Sequence, residues 1–277
     1  MRKARQAKAA RHAARECLQN RARATIRAAH FSMSLQPSEI NRAEVKRLAS
    51  DFEGVPLTEV LRWLWEKFGE RAAIGTSFQG AGLVMIDHAL NAGLKFPVFT
   101  LDTNLLFPET YELKARLEKH WGITIEGLQP EQTLEQQTAE YGAELWKKGP
   151  DVCCTLRKVV PLQKKLSTLA VWITGLRRQQ SDTREGAQIL ELYHFDVLRD
   201  LYILKANPMA TWRREAVWDY IKAKGIPYNA LHDRGYRSIG CWPCTRATDA
   251  GENERAGRWT GFDKAECGIH TFLGESI

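Results

Sequence analysis

The sequence predicts an α/β fold with an open, mostly parallel sheet and helices on both faces. The main observation is that short apolar runs, bounded by polar or turn residues, alternate with longer stretches of helical periodicity. Composition indicates a folded chain, since 44% of the 277 residues are hydrophobic and these include nine Trp and ten Phe. No apolar run of the sequence approaches the roughly 20 residues that span a bilayer. We therefore expect one large domain or two small ones, without a membrane span.

Each predicted element follows from its residue pattern. A helical stretch after Ser38 extends to about Asp51, and Thr58–Phe68 forms a second helix with an apolar face. The strand-length apolar runs are Ala72–Thr76, Pro97–Leu101, Ile123–Glu126, Ala170–Thr174 and Tyr202–Leu204. The helical patterns among them are Leu83–Asn91, Glu109–His120, Pro130–Tyr141, Leu156–Leu166 and Trp212–Lys224. Strands separated by helices predict parallel βαβ units, whose ligands bind beyond the carboxyl ends of the strands.

The net charge of +7 belongs to one end of the chain. Residues 1–30 hold nine Lys and Arg and a single acid, Glu16, so they sum to +8 and the remainder to −1. A basic tail that binds nucleic acid, an organellar transit peptide and a dispensable extension all fit this composition. We favour the last, because Met33 opens a more ordinary sequence. The predicted division is a disordered or dispensable extension over 1–32, an α/β domain over 33–248 and a mobile tail over 249–277.

Two loops after predicted strands carry candidate ligand-binding residues. The loop Ser77–Gly82 is Gly-rich, and such a strand-to-helix turn offers backbone N–H groups to a phosphate. Its spacing matches neither the Walker A pattern nor G-x-G-x-x-G, so a plain βα turn explains it equally well. After the second strand, Asp102 and Thr103 are placed either to bind a ribose or base, or to cap the helix that begins after Pro108.

The loop after the fourth strand predicts an anion site. Arg177, Arg178 and Arg184 lie within eight residues of one another, among Ser, Thr and Gln. The planar guanidinium donates two hydrogen bonds at once, which suits phosphate and sulfate. A solvated charge run would carry mixed signs and lie away from a strand end, so we favour the anion site. Its other polar members are Gln180, Ser181 and Thr183.

Two tight pairs of cysteines predict a metal or iron–sulfur centre. The pairs are Cys153-Cys154 at the start of a predicted helix and the C-x-x-C of Cys241 and Cys244. Four thiolates bind structural zinc or an iron–sulfur cluster, and a vicinal pair is poor zinc geometry, so the pattern favours the cluster. Lys158, one turn after Cys154, would place a positive charge beside it. Buried reduced cysteines are the alternative, but that interpretation suits single cysteines better than two pairs.

Cys267 is the candidate nucleophile. It stands in a Glu-Cys-Gly-Ile-His run without a neighbouring cysteine. A thiolate nucleophile needs access and a positive environment, and His270, Arg255 and Arg258 would supply the latter when the tail folds over a site. The alternative is a bystander thiol in a disordered end, a description that fits Cys17 better.

These residues together resemble the sulfonucleotide reductase family, and most of all its iron–sulfur adenylyl-sulfate (APS) reductases. The resemblance extends over about residues 37–272, and the joint presence of both cysteine pairs and the terminal Glu-Cys-Gly is highly specific. The segments that carry it lie within Leu101–Thr110, Cys153–Leu162, Gly175–Arg184, Ile239–Thr245, Glu254–Trp259 and Glu266–His270. The chain departs from the family at three positions. Gly82-Leu83 stand where the family often has an acid, and Gln79 replaces the usual small residue. Asn104 stands where Gly is common, but Asn is tolerated in the left-handed region.

The resemblance implies a fold, a reaction and the roles of the site residues. The nucleotide would bind on an adenine nucleotide α-hydrolase-like sheet, and Cys267 would attack its sulfate sulfur as AMP leaves. Reduced thioredoxin, or a glutaredoxin-like donor, would release sulfite from the Cys S-sulfonate. The four paired cysteines would hold one [4Fe–4S] cluster, tuned by Lys158. The implied substrate-binding residues are Ser77, Phe78, Gln79, Asp102, Thr103, Arg177, Arg178, Gln180, Ser181, Thr183 and Arg184.

Two other functions stay open at this point. Reduction of the 3′-phosphorylated substrate (PAPS) is the closer one, although relatives specific for it usually lack the two cysteine pairs. An iron–sulfur or zinc protein that binds or thiolates RNA is the more distant one, and the Glu-Cys-Gly-Ile-His run has no purpose in a passive binder. We expect APS and a thioredoxin-like donor as partners, no membrane or nucleic acid, a homo-oligomer, and a reducing compartment, the cytoplasm.

Overall fold

The computed structural model describes residues 41–264 and 266–270. The basic extension over 1–32 therefore lies outside the described residues, as do Ala265 and residues 271–277 of the predicted tail. Among the residues it does describe, none of the helices is long and apolar enough to cross a bilayer.

Six strands form one sheet in the order β3-β2-β1-β4-β6-β5. The strands are β1 (Ala72–Gly75), β2 (Val98–Leu101), β3 (Ile125–Leu128), β4 (Val171–Thr174), β5 (Leu190–Asp196) and β6 (Leu201–Ala206). All neighbours pair in parallel except β5 and β6, which are antiparallel. The predicted open, mostly parallel sheet is confirmed, with the third strand displaced by two residues from its predicted position.

Nine α-helices are present in the described part of the chain. They are α1 (Arg42–Asp51), α2 (Leu57–Phe68), α3 (Gly80–Asn91), α4 (Pro108–Trp121), α5 (Leu134–Tyr141), α6 (Leu145–Lys148), α7 (Pro150–Cys154), α8 (Val160–Leu166) and α9 (Arg214–Lys224). Local capping explains several starts. The side chain of Asn41 accepts hydrogen bonds from the first turn of α1, and Pro108 opens α4 at a position where its missing N–H costs nothing.

The sheet separates two hydrophobic cores. In β1, Ala72 and Ile74 face one core and Ala73 faces the other, as the two-residue period of a strand requires. The first core packs against α2, α3 and α9, and the second packs against α8 through Leu162 and Leu166. Helices thus cover both faces, which is the layer arrangement that the alternating sequence predicted.

The helical segment 150–166 is interrupted by a π-helical turn. The sequence predicted a helical pattern over Leu156–Leu166 and a helix start at Cys153-Cys154, whereas α7 already begins at Pro150 and the π turn, Thr155–Val159, joins it to α8. Pro161 has no N–H to donate to the carbonyl four residues earlier, which is that of Arg157, and its ring crowds this carbonyl, so the turn widens. The turn holds Arg157 and Lys158 in buried positions, which places two cations inside the domain.

The edge strand β5 was missing from the sequence prediction. It forms a hairpin with β6, and its register slips between His194 and Asp196. This irregularity breaks the strict alternation by which a half-buried strand is recognised. Its buried aromatic residues, Tyr193 and Phe195, belong to the second core.

The sheet order places a crevice at the carboxyl ends of β1 and β4. These strands are neighbours, but the chain continues from β1 to β2 on one side and from β4 to the β5–β6 hairpin on the other. The loops after them therefore diverge and leave room for a ligand. The described part of the predicted tail lies across this crevice, so at least residues 266–270 of it are packed on the domain.

Candidate active site

A large cavity, the main cavity, lies at the carboxyl ends of β1, β2 and β4. Residues of the loops after these strands line one side, and residues of the C-terminal stretches 254–259 and 267–270 complete the lining. Close approach of the loops needs glycine, because a Cβ on Gly82 would lie 2.5 Å from the Thr76 hydroxyl. A Cβ on Gly175 would lie 2.9 Å from the Gly82 nitrogen. The Gly-rich loop therefore has a packing role as well as a ligand-facing one.

The first loop brings Ser77, Phe78 and Gln79, which were predicted to bind substrate, to the wall of the main cavity. Phe78 adopts a left-handed conformation with φ of 57°, and its N–H donates to the Thr76 hydroxyl at 3.0 Å. The Gln79 amide spans two elements, since it donates to the Ile239 carbonyl at 2.8 Å and accepts from the Arg214 N–H at 2.9 Å. Gln79 thus ties the loop in place, while Ser77 and Phe78 are left to face a ligand.

The second loop separates its two predicted residues. Asp102 lies outside the cavity, and its carboxylate accepts hydrogen bonds from the Asn104 N–H at 3.0 Å and the Tyr111 hydroxyl at 2.7 Å. These bonds close a turn within the loop and tie it to Tyr111 of α4. The predicted capping of α4 by this residue is wrong, because the start of the helix has no side-chain cap. Asn104 adopts a left-handed φ of 57°, as the departure from Gly predicted. Thr103 lines the cavity, and its hydroxyl lies 3.3 Å from the Cys241 sulfur.

The arginine loop is neutralised by acids from elsewhere in the chain. Arg177 pairs with Glu254 at 3.1 Å, and Arg178 pairs with Glu53 on the protein surface. Among the predicted anion donors of this loop, Gln180 and Arg184 line the main cavity, whereas Arg177, Arg178, Ser181 and Thr183 lie outside it. The sequence predicted a dense set of anion donors in this loop, and in the structure two of its three arginines, Arg177 and Arg178, are paired with acids and lie away from the cavity.

Arg184 is engaged by the residue that precedes the candidate nucleophile. Its guanidinium donates to both carboxylate oxygens of Glu266 at 2.8 Å and to the Gln180 side chain at 2.6 Å. Arg255 also pairs with Glu266, at 3.1 Å. Burial, and then the neighbouring Arg184, lower the pKa of Arg255 to about 10, while Glu266 opposes this change.

Arg258 lies between a glycine and an aromatic ring. Its guanidinium is centred 4.6 Å from the Trp259 ring and contacts the Ser238 hydroxyl at 3.4 Å. A Cβ on Gly240 would lie 2.1 Å from this guanidinium, so only glycine leaves room for it. Arg255 and Arg258 both line the main cavity, as does Cys267.

Cys267 lies buried at the wall of the main cavity, in contact with Cys154 and Trp259. Burial opposes its thiolate, but Lys158, the Ile269 N–H and Arg255 stabilise it, and together they lower the pKa of Cys267 below its ordinary value. The His270 ring stacks on Trp172 with centroids 5.2 Å apart. Burial and nearby cations hold the pKa of His270 well below its usual value, so the ring is neutral at pH 7.

The four paired cysteines line a second, smaller cavity, the thiol cavity. Cys153, Cys154, Cys241 and Cys244 share its wall with Lys158 and Trp259. All the described cysteines are free thiols. Burial raises the pKa of Cys154 to about 11 and also raises that of Cys153. Burial disfavours charge on Lys158 as well, but Cys241, Cys154 and Cys267 outweigh this effect and raise its pKa.

Several site residues were not predicted from the sequence. They are the acids Glu254 and Glu266 and the aromatic residues Trp172, Tyr193 and Trp259. Both acids stand in segments that carry the family resemblance, Glu254–Trp259 and Glu266–His270, but the sequence assigned neither of them a role. The three aromatic residues were missed because aromatic residues in strands and loops usually belong to the hydrophobic core. In the described chain, no three His, Cys, Asp or Glu side chains converge as ligands of a single metal ion; the thiols surround a cavity instead.

Comparison with known proteins gives consistent results. Residues 71–247 match the model of the phosphoadenosine phosphosulfate reductase domain. "Adenosine 5'-phosphosulfate reductase 2" of Bacillus subtilis is 42% identical over 76% of this chain and 88% of its own length. "Adenosine 5'-phosphosulfate reductase" of Geobacillus kaustophilus is 41% identical over 83% of this chain and 96% of its own.

Solved structures agree with the sheet topology. The crystal structure of phosphoadenylyl-sulfate (PAPS) reductase from Candida auris, a phosphate complex, aligns with a TM-score of 0.62 at 28% identity over 78% of this chain and 100% of its own. FMN adenylyltransferase of Candida glabrata, at 13% identity and a TM-score of 0.51 over 91% of this chain and 84% of its own, shares the fold alone. Because the family model matches more than half of the sequence and the relatives exceed 40% identity, the chain belongs to the APS/PAPS (phosphoadenosine phosphosulfate) reductase family.

Proposed function

We propose that the chain reduces APS to sulfite and AMP through a Cys267 S-sulfonate. The observation that carries this proposal is the placement of Cys267. A thiol whose pKa is lowered lies at the wall of a cavity that also holds Lys158, Arg255 and Arg258. Its relatives bear the name adenosine 5'-phosphosulfate reductase, and a nucleophile beside several cations suits attack on an anionic substrate.

The main cavity offers distinct surroundings to the two ends of such a substrate. Loops after β1 and β4, with Phe78 and Leu176, provide uncharged walls for an adenosine. Lys158, Arg255 and Arg258 line the same cavity near Cys267 and would contact phosphate and sulfate. Among the residues of the arginine loop, we retain Gln180 and Arg184 as substrate contacts, because they line the cavity; the others support the loop.

The chemistry needs one nucleophile and one external dithiol. The Cys267 thiolate attacks the sulfate sulfur, a sulfur–sulfur bond forms, and the bond between that sulfur and the phosphate oxygen breaks, so that AMP leaves with the electron pair. A donor thiolate then attacks Cys267 Sγ and expels sulfite, which leaves a mixed disulfide. The second donor thiol resolves this disulfide and returns Cys267 as thiol. The two electrons that reduce the sulfur come from the donor dithiol.

The thiol cavity fits a [4Fe–4S] cluster by its donor set. Cys153, Cys154, Cys241 and Cys244 would hold it, as four thiols that line one cavity with Lys158 in its wall. When bound, the cluster would supply a fixed charge, roughly −2 for a four-thiolate site, whose influence depends on nearby donors and cations. Lys158 also lines the main cavity, where it stabilises the Cys267 thiolate.

Reduction of PAPS is the second candidate. The matching family model is named for phosphoadenosine phosphosulfate, and the Candida auris structure is a PAPS reductase. The four-thiol cavity and the names of the relatives near 40% identity favour APS. We further propose thioredoxin as the dithiol donor, a homo-oligomeric enzyme, and the reducing cytoplasm as its location.

An anaerobic assay separates these functions. Sulfite release from APS and from PAPS is measured with excess reduced thioredoxin, for the wild-type protein and for Cys267→Ser. We expect rapid release from APS, much slower release from PAPS and none from the variant, which forms no S-sulfonate. Equal or faster release from PAPS would overturn the substrate assignment, and continued release by the variant would overturn the nucleophile.

A further inference from the structure

Two aromatic side chains of the sheet lie beneath the C-terminal segment and take no part in the chemistry above. Tyr193, on β5, donates its hydroxyl hydrogen to the Ile269 carbonyl at 2.9 Å. Trp172, on β4, stacks face to face on His270, with an interplanar angle of 8°. Both rings are buried in the second core. Ile269 is thus held by the Tyr193 hydroxyl, and His270 by the Trp172 ring.

Trp172 and Tyr193 are held in turn by a buried charge. The ammonium of Lys205, on β6, lies 4.5 Å from the centre of the Tyr193 ring and 5.7 Å from that of Trp172. Its carboxylate partner, Glu191, lies 2.7 Å away and also accepts from Asn207 at 3.1 Å. A fully buried Lys needs such compensation. Its position beneath the rings fixes their orientation toward the segment.

Glycine allows Trp172 to lie across the end of the sheet. A Cβ on Gly75 would lie 2.5 Å from Trp172 Nε1 and 2.9 Å from Phe99 Cζ. Any residue larger than glycine at position 75 would therefore displace the Trp172 ring from its place at the end of the sheet. Trp172 and His270 both line the main cavity, so the stacked pair forms part of the wall that a ligand would meet.

Cys267 stands between two anchors of the segment. On its N-terminal side, Glu266 is bound by Arg184 and Arg255. On its C-terminal side, Gly268 turns the chain with a left-handed φ of 84° and delivers Ile269 and His270 to the aromatic pair. With both anchors in place Cys267 is 9% exposed. A protein donor would not reach its sulfur in this arrangement.

We propose that Trp172 and Tyr193, supported by Lys205, form a seat that positions Cys267 for attack on the bound substrate. They are positioning residues, since they act through Ile269 and His270. The segment must leave the seat before a protein donor can reach the S-sulfonate. Weakening the seat therefore slows the first half-reaction and leaves the second unslowed. The kinetic part of this proposal rests on the proposed function; the seating of Cys267 does not.

The test compares two substitutions that each remove one phenol hydroxyl. Tyr193→Phe loses the bond to Ile269 and keeps the ring above Lys205. Tyr220→Phe is the matched control, because it loses a 2.8 Å bond to Asp87 in the other core. In anaerobic protein without substrate, iodoacetamide labelling of Cys267 is followed by peptide mass spectrometry. We expect the labelling rate of Cys267 to rise about fivefold in Tyr193→Phe, because the loss of one hydrogen bond changes an equilibrium by about that factor. The labelling rate should stay unchanged in the control.

Single-turnover kinetics supply the second measurement. In Tyr193→Phe, we expect S-sulfonate formation from APS to slow by a similar factor, while thioredoxin reduces the preformed S-sulfonate at the wild-type rate or faster. Trp172→Phe, which shortens the stacked surface under His270, should change both measurements in the same direction. Equal labelling in Tyr193→Phe and its control would overturn the seat, as would equal slowing of the two half-reactions. Failure of wild-type protein to form any S-sulfonate would instead refute the proposed function, with the labelling result still deciding the seat.

Discussion

The carboxylate of Glu266 accepts two parallel hydrogen bonds of 2.8 Å from the guanidinium of Arg184. Burial opposes the charge on Glu266, but Arg184 and Arg255 outweigh it and lower the pKa of this carboxyl. An arginine fork of the kind that binds sulfate is thus occupied by the residue next to the nucleophile. The position of Cys267 and the state of the anion site are therefore linked.

Replacing Glu266 with Gln tests this link. The substitution removes the acid partner of Arg184 and Arg255 and leaves two buried cations side by side, which is costly. We expect the segment to loosen and kcat/KM for APS to fall by about tenfold or more. Glu252→Gln is the control, since Glu252 pairs with Arg246 at the surface, where a pair contributes little. An unchanged kcat/KM in Glu266→Gln would show that the pair does not position Cys267.

Substitution of a predicted cluster ligand should separate metal binding from nucleophilic attack. We expect Cys153→Ser to lose iron, acid-labile sulfide and broad visible absorption, because the thiol cavity then lacks one of its four donors. Cys267→Ser should keep all three and lose only sulfite release. Iron and sulfide analysis of anaerobically purified protein makes the comparison. Zinc in place of iron in the wild-type protein would contradict the cluster.

A methyl group at Gly240 should disable the site without changing any charge. The added Cβ would lie 2.1 Å from the Arg258 guanidinium and force it away from Trp259 and the main cavity. We expect Gly240→Ala to lower kcat/KM by about tenfold, since a misplaced cation no longer stabilises developing charge. Gly127→Ala is the matched control, because its Cβ would meet only the Asp102 Cβ, at an ordinary 3.8 Å. Steady-state kinetics with equal losses in both variants would contradict this role of Gly240.

The neutral state of His270 predicts a dependence of stability on pH. Its folded-state pKa is lowered well below the ordinary 6.5, chiefly by burial and then by Lys205, Arg184 and Arg255. Below pH 6.5 the unfolded chain therefore binds a proton that the folded chain does not, and stability falls as pH decreases. The slope for one such histidine reaches about 1.4 kcal/mol per pH unit.

Urea unfolding at several pH values between about 7.5 and about 5 would measure this dependence. His270→Gln should flatten the decrease without abolishing it, because burial also lowers the pKa of His88 and His232. His120→Gln serves as a control on the protein surface. The same slope in His270→Gln and wild-type protein would show that His270 is not held neutral by the fold.

Periodicity predicted the sheet because it reports local burial. Ala72, Ile74 and the other apolar residues of the inner strands alternate between two cores, and the helices between them bury one face each. The edge strand with Tyr193 escaped prediction because its bulge interrupts the alternation. The start of the helix before Cys153 escaped prediction because the following π turn, next to Pro161, breaks the helical period.

The site was predictable where chemistry depends on residue type, and unpredictable where it depends on distant pairing. Two cysteine pairs indicated one centre, and their thiols do line one cavity. Arg177 and Arg178 looked like anion donors, because their acid partners, Glu254 and Glu53, lie far away in the sequence. Only the folded chain brings these charges together. Asp102 was open to two interpretations, and the capping one is wrong, because its carboxylate binds the Asn104 N–H and the Tyr111 hydroxyl while the helix start has no side-chain cap.

Lys158, Cys241 and Trp259 line the main cavity and the thiol cavity at once. They form a shared wall between the place of the proposed metal group and the place of the proposed substrate. Any change of size or charge at these three positions alters both compartments together. The two compartments therefore cannot be redesigned, or diverge in evolution, independently of one another: a new substrate preference that requires a different shared wall must also be compatible with the metal group behind it.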